Sequence, residues 1–320
     1  MPNISVIIPA YNAERTILET VASALEQTLS DFELIVINDG STDRTLERLQ
    51  TIKDNRLQIL SYENGGVSAA RNRGIVRSTG KFIAFLDADD LWASDKLELQ
   101  LAALQAHPEA GLAYSWTYSI SESGDLLAPV EPSFSGRIYA DLLLWNFLSN
   151  GSNPLIRRQA IESVGEFVSE LNSAADWDYW LRLAVNWAFV LVPQHQVFYR
   201  LSTSSMSSKL DNMKQESLLT LERAFEAAPA ALQSLKNQSL SNTYQYYAEV
   251  YLRDVTNSAG EIDRVVRNLW TGVSLYPASL RSRYTQSLVA KTLLTKILSP
   301  ETAHQLFQFV QKRKPKKALV

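Results

Sequence analysis

The sequence has no cysteine, which excludes disulfides, thiolate metal sites and cysteine nucleophiles. Its three histidines, His107, His195 and His304, are far apart, so a histidine-rich zinc site is not expected. Glycine (12) and proline (11) are too scarce for a collagen-like or low-complexity chain. No excess of positive charge is present; the net charge is -3, which argues against a general nucleic-acid binder. Long hydrophobic runs are also missing. The longest uncharged stretch, Leu183 to Tyr199, is broken by Asn186, Pro193 and two glutamines, so no membrane span is expected. Met1 to Pro9 has no basic segment and only the short apolar run Val6-Ile7-Ile8, which does not read as a signal peptide. A cytoplasmic protein is the expectation. What the chain does have is 320 residues, 46% of them hydrophobic, enough for about two domains with a sizeable core.

The first 115 residues alternate short β-branched runs with helical patterns. Strands are expected at Ile4–Ile8, Phe32–Ile37, Leu57–Leu60, Phe82–Leu86 and Leu112–Tyr114. Between them lie helices at Ala13–Gln27, from Thr42, at Val67–Arg77 and at Asp95–Gln105. This alternation predicts an α/β domain with a mostly parallel sheet covered by helices on both faces. Ligands of such sheets bind at the carboxyl ends of the strands. Polar segments fall there: Pro9-Ala10-Tyr11-Asn12, Asn38 to Asp43, Asn64-Gly65-Gly66 and Asp87-Ala88-Asp89-Asp90. Further strands are expected at Gly151–Arg157, Phe189–Val192 and Val197–Leu201, around a helix at Trp177–Val185. From Leu210 the pattern is helical: Met213–Ala227, Leu240–Asp254, Ile262–Leu275, Leu280–Leu298 and Thr302–Gln311. The expected division is a sheet domain over 1–209 and a helical region over 210–320, ending in the basic tail 312–317. That tail reads either as a solvated terminus or as a contact with an anionic membrane surface.

Asp87, Asp89 and Asp90 crowd three carboxylates into four positions. At about 5 Å and an effective dielectric of about 20, each like pair costs about 3 kcal/mol. A divalent Mg or Mn ion, shared with substrate phosphates, would offset that cost. In an extended segment Asp87 and Asp89 face one side and the small Ala88 the other. The alternative is that Asp90 caps a turn while the others are solvated. Asp39 precedes Gly40 and can accept a hydrogen bond from a nucleobase, whereas Ser41, Thr42 and Asp43 suit a helix N-terminus. Arg71, after the small residues of Gly65 to Ala70, suits a base or a phosphate, or is a surface arginine. Asp176 is either a helix cap or a general base walled by Trp177 and Trp180. Asp178 and Arg182 have the spacing of an intrahelical ion pair. Tyr244, Tyr246, Tyr247 and Tyr251 read as a packing face.

Together these segments resemble the family 2 glycosyltransferases of the GT-A fold. The matching runs are Ser5 to Asn12, Val36 to Asp43, Ala70 to Gly74, Phe85 to Asp90 and Ala175 to Arg182. They are in order and cover about residues 3 to 205. The resemblance implies an inverting, metal-dependent hexosyltransferase that uses a nucleotide-sugar donor, with a UDP-sugar favoured. Its acceptor would be a saccharide or lipid-linked saccharide, in cell-surface polysaccharide synthesis at the inner face of the membrane. It also implies roles. Pro9, Tyr11, Asp39 and Arg71 would line the nucleotide pocket, joined by Asp87 and Ala88. Asp87 and Asp89 would form the DxD pair on Mn²⁺ or Mg²⁺, and Asp176 would be the general base. Two positions depart from the family pattern: Ala175 stands in place of glutamate, and Leu201-Ser202 follow Tyr199-Arg200 where relatives carry a histidine. The rivals are a non-catalytic nucleotide-binding assembly module and a sugar nucleotidyltransferase. The latter would need a glycine-rich basic loop that Pro9 to Asn12 lacks, and no G-x-G-x-x-G follows the first strand to suggest a dehydrogenase.

Overall fold

The computed structural model describes residues 2–201, 210–254 and 259–298. The chain divides into two compact units, Met1–Thr220 and Leu221–Val320. Ser202, the helix expected at Thr302–Gln311 and the basic tail lie outside the described residues.

The first unit is built on a mixed sheet of nine strands. In chain order these are β1 (Ile4–Ala10), β2 (Phe32–Asp39), β3 (Leu57–Tyr62), β4 (Phe82–Phe85), β5 (Leu91–Trp92), β6 (Ala110–Ile120), β7 (Leu126–Val130), β8 (Leu155–Arg157) and β9 (Ala188–Arg200). Across the sheet the order is β3-β2-β1-β4-β8-β6-β9-β5, with β7 paired to β6. The half formed by β3, β2, β1 and β4 is parallel, as the alternation predicts. Beyond it the sheet turns mixed: β8 is antiparallel to both β4 and β6, whereas β6 and β9 run parallel.

Every residue of β1 and β2 is buried, the mark of strands covered on both faces. Successive side chains point to opposite faces. Ile4, Val6 and Ile8 join one core cluster with Ile17 and Val21 of helix α1 (Ile17–Leu25) and Leu97 and Leu101 of α4 (Lys96–Ala106). Ile7 faces the other way, against Gly74 of α3 (Gly66–Arg77). A Cβ on Gly74 would collide with the Ile7 side chain, so glycine sets how closely α3 lies on the sheet. Helix α2 (Thr45–Gln50) starts later than expected. Asp43, rather than Ser41 or Thr42, holds its first turn, accepting from Thr45 N at 2.9 Å.

The two short strands expected at Phe189–Val192 and Val197–Leu201 are one strand, β9, of 13 residues. Its pairing passes from Ser115↔Val192 to Trp116↔His195. Pro193 and Gln194 are therefore bulged out of the ladder, where the missing proline N–H costs no sheet bond. Helices α5 (Tyr139–Leu144), α6 (Arg158–Val164) and α7 (Ala175–Asn186) complete this unit's framework.

Helix α8 (Leu210–Ala227) runs across the division between the units. The second unit is helical, with α9 (Lys236–Asp254), α10 (Ala259–Leu275) and α11 (Arg283–Ile297). A short 3-10 turn, Pro277–Arg281, precedes α11 where a single helix was expected. Tyr247 and Tyr251 are buried on α9, as a packing face requires, while Tyr246 is exposed.

Candidate active site

The loop after β4 carries the three aspartates, and they have different surroundings. Asp90 is fully buried. Its Oδ2 accepts from the Ser152 hydroxyl at 2.5 Å and its Oδ1 from the Arg200 backbone N–H at 2.9 Å. It ties the loop to β9 and to the segment before β8. Burial, and then the charges of Asp89 and Asp87, push its carboxyl well above the usual range. Asp89 is pushed up to about 6, first by burial and then by Asp87, against the opposing pull of Arg200. Asp87 keeps a partner: Arg71 Nη2 lies 2.6 Å from its Oδ1. The loop backbone is fixed as well. Asp87 N–H donates to Ser152 Oγ, and the Ala88 carbonyl accepts from the hydroxyls of Thr16 and Thr20. Arg200 clamps the far side, donating from Nε to the Asp89 carbonyl and from Nη2 to Glu19.

Asp39 lies at the end of β2, also buried, and its carboxylate accepts from three donors. They are the N–H groups of Gly65 and Gly66, which open α3, and Arg73 Nη1 at 2.6 Å. Gly66 has φ +86° and Gly40 has φ +72°, conformations that side chains strain. The carboxylate thus sits on a helix N-terminus, where the dipole favours negative charge. The resemblance sets Asp39 and Arg71 in one nucleotide pocket. The structure pairs Asp39 with Arg73 and Asp87 with Arg71. Two residues apart on a helix, the two arginines face different sides, so one cannot serve both acids. Arg73 went unnoticed; its signal was the Arg-x-Arg spacing.

Of the other expected nucleotide-side residues, Pro9 is buried within β1. Tyr11 projects beyond the strand and is 53% exposed. Asn12 follows with φ 49°, its side-chain oxygen accepting from Thr42 N–H. The first and second strand ends are thereby joined.

Asp176 comes from the first turn of α7. Its Oδ1 accepts from the Trp177 N–H at 2.7 Å, and Trp177 is anchored by its indole N–H on the Leu142 carbonyl. Burial raises the Asp176 carboxyl to about 6; Arg71 pulls it down and Asp87 pushes it up. The three charged groups therefore share one electrostatic neighbourhood, although 89 positions separate Asp87 from Asp176. Asp178 forms the expected ion pair with Arg182 at 2.8 Å.

Two participants were not singled out from the sequence. Tyr199, on β9, has its hydroxyl pushed well above the usual range by burial and then by Asp90, Asp89, Asp87 and Asp176. Gly151 backs the Arg71–Asp87 pair: a Cβ there would collide with the Arg71 guanidinium and lie 3.2 Å from Asp87 Oδ2. The lone glycine between Asn150 and Ser152 was its signal.

Among the described residues no group of three or more His, Asp or Glu side chains is arranged to hold a metal unaided. Asp87 and Asp89 do supply two hard oxygen donors from one loop, and the half-buried Asp89 carboxyl is raised by desolvation and by the charge of Asp87. That fits a Mg²⁺ or Mn²⁺ ion completed by substrate phosphates.

The sequence pattern of the glycosyltransferase-like family 2 matches residues 5–249. The chain is 41% identical over 102 residues to the Escherichia coli protein named UDP-Glc:alpha-D-GlcNAc-diphosphoundecaprenol beta-1,3-glucosyltransferase WfgD, covering 32% of this chain and 40% of that protein. The chain's alignments with the first such relatives span between 20% and 48% of those proteins' own length. In fold the chain is similar to S. aureus TarS 1-349 in complex with UDP-GlcNAc, with TM-score 0.63, 17% identity and coverage of 98% and 93%. It is also similar to the mannosyltransferase PcManGT from Pyrobaculum calidifontis in complex with GDP-Man and Mn²⁺, with TM-score 0.57, 18% identity and coverage of 92% and 87%. The fold is GT-A, and the chain belongs to the glycosyltransferase-like family 2.

Proposed function

We propose that this chain is an inverting glycosyltransferase that moves a sugar from a UDP-sugar to a hydroxyl of a saccharide or lipid-linked saccharide. The observation that carries this reading is the position of Asp176, within electrostatic reach of the Arg71–Asp87 pair and raised to about 6. A carboxyl with that value is ionised at neutral pH yet basic enough to take a proton. Asp176 deprotonates the acceptor hydroxyl, which attacks the anomeric carbon from the face opposite the leaving diphosphate. One displacement with no covalent intermediate inverts the configuration, through an oxocarbenium-like transition state. Pro9, Tyr11, Asp39 and Arg71 line the nucleotide side, and Ala88 leaves room for the donor. Asp87 and Asp89 would hold a divalent ion, which when bound would neutralise charge on the diphosphate.

The named relatives support the substrate classes: WfgD's name specifies UDP-Glc and a diphosphoundecaprenol-linked acceptor, and TarS was solved with UDP-GlcNAc. The reading places the transfer domain at 1–209 and the reaction in cell-surface polysaccharide synthesis at the cytoplasmic side of the membrane. No described helix is long and apolar enough to cross a bilayer.

The test is release of UDP from a panel of UDP-sugars, with Mn²⁺ and with EDTA, by the wild type, Asp176→Asn and Asp89→Ala. Metal-dependent release that both substitutions abolish in folded protein supports the reading. Nucleotide binding without release of diphosphate would instead favour a non-catalytic assembly module.

A further inference from the structure

Helix α11 is built with its polarity reversed. The face it packs inward carries Thr285, Leu288, Thr292 and Thr295, all buried. The threonine hydroxyls are satisfied within the unit: Thr285 on Gln245, Thr292 on the Leu288 carbonyl and Thr295 on the Lys291 carbonyl. The outward face of its last two turns is apolar. At about 100° per residue, Leu293, Leu294 and Ile297 fall within one arc of about 100°. They are exposed, Leu293 to 55% and Ile297 to 77%. Lys291 and Lys296 flank the arc.

The charge along this segment has one sign. From Pro277 to Leu298 the cations are Arg281, Arg283, Lys291 and Lys296, and there is no carboxylate in the segment. Glu249 of α9 accepts from the Tyr284 hydroxyl, more than two turns from Leu293. The sequence beyond Leu298 adds Lys312, Arg313, Lys314, Lys316 and Lys317 against the single acid Glu301, although the whole chain is net negative. An apolar stripe edged by lysines is the pattern of a helix lying in a membrane interface, and basic groups near an anionic leaflet add attraction.

We propose that the Leu293–Leu294–Ile297 face of α11 docks the protein on an anionic lipid surface. Like charge opposes the chain's own basic tail as the cover of this face, and opposes a second copy meeting it face to face. The docking stands on α11 alone. Its use, to bring the enzyme to a lipid-linked acceptor, rests on the glycosyltransferase reading.

The full chain is sedimented with vesicles of phosphatidylcholine alone or with about 30% phosphatidylglycerol. The wild type should partition onto the anionic vesicles at least about tenfold more strongly, and high salt should weaken this. The double variant Leu293→Gln/Ile297→Gln should lose at least about tenfold of that binding at an unchanged melting midpoint. Leu126→Gln, a comparably exposed leucine on β7, should keep it. The proposal is overturned if the wild type ignores phosphatidylglycerol, or if the double variant binds as the wild type does. It is equally overturned if the double variant melts lower, which means the chain covers its own face, or changes oligomeric size, which means a second copy does. UDP release without vesicles should be the same in the wild type and the double variant. Its absence from both would sink the enzymatic reading and leave the docking result standing.

Discussion

Arg71 holds Asp87 with its Nη2 2.6 Å from Oδ1, and does so while almost wholly buried, its guanidinium over the rings of Phe85 and Phe167 at 6.0 and 5.4 Å. Asp87 is therefore held in place by a group that cannot lose its charge. Arg71→Met should destabilise the protein by about 2 kcal/mol in urea denaturation. That is less than the roughly 3–5 kcal/mol for breaking a fully buried pair, because the Asp87 side chain is 26% exposed. Arg71→Lys keeps the charge but loses the planar contact with Phe167. It should fall between the two in stability and should weaken UDP binding, read by calorimetry.

On the proposed reading Asp176 sets the pH dependence of transfer. As the proposed base it must be ionised, and its carboxyl is raised to about 6. The rate kcat/KM should then fall as pH drops through about 6, approaching tenfold per pH unit below it, and level off above 7. Asp176→Asn should lower kcat by about 10²- to 10⁴-fold, the usual contribution of a positioned base, and remove this limb. A wild-type profile flat from pH 5 to 8 would remove Asp176 from the role.

Asp89, proposed as a metal ligand, is destabilising at neutral pH when no ion is bound. Its folded-state carboxyl is raised to about 6 from an ordinary 3.8 by burial and by Asp87. Between those values the native state binds more protons than the unfolded chain, so stability falls as pH rises through the window, and the loss is complete above it. In metal-free protein Asp89→Asn should raise the melting temperature at pH 7.5, and the gain should shrink toward pH 4. Adding Mn²⁺ with UDP should stabilise the wild type and leave Asp89→Asn unmoved. A lower melting temperature for the metal-free variant at pH 7.5 would mean that Asp89 supports the fold.

The parallel half of the sheet was legible because β1, β2 and β4 each carry a short apolar run, Val6-Ile7-Ile8, Leu34-Ile35-Val36-Ile37 and Phe82-Ile83-Ala84-Phe85, followed by a polar loop. The register beyond β4 was not, since β8 is three residues long and a bulge at Pro193 hides the unity of β9. For the site, the acids were readable as residues and their partners were not. Arg-x-Arg on α3 does not say which arginine faces which acid; the turn of the helix against β1 decides that, through Gly74 on Ile7. Asp90 looked like a third ligand or a turn cap. Only its burial against Ser152 and Arg200 reveals a structural tie. Asp43 carried its own signal for a helix start, two residues earlier than Thr45, and the structure uses it.

Gly151 offers a way to disturb the site without removing any of its charges. Its missing side chain is what lets the Arg71 guanidinium and Asp87 Oδ2 sit against the backbone between β6 and β8. Gly151 is absent from the glycines with positive φ, so alanine there meets crowding rather than backbone strain. The added methyl must displace the guanidinium, the more mobile of the two neighbours. Overpacking of this kind costs about 1–3 kcal/mol when the surroundings cannot yield. Gly151→Ala should accordingly melt slightly lower while weakening donor binding more than tenfold, with the Asp176 limb of the pH profile moved upward. That direction follows because the Arg71 charge pulls the Asp176 carboxyl down, alongside the Trp177 N–H. An Asp176 limb that stays put while donor binding weakens would mean the methyl acts on the nucleotide directly and leaves the ion pair where it is.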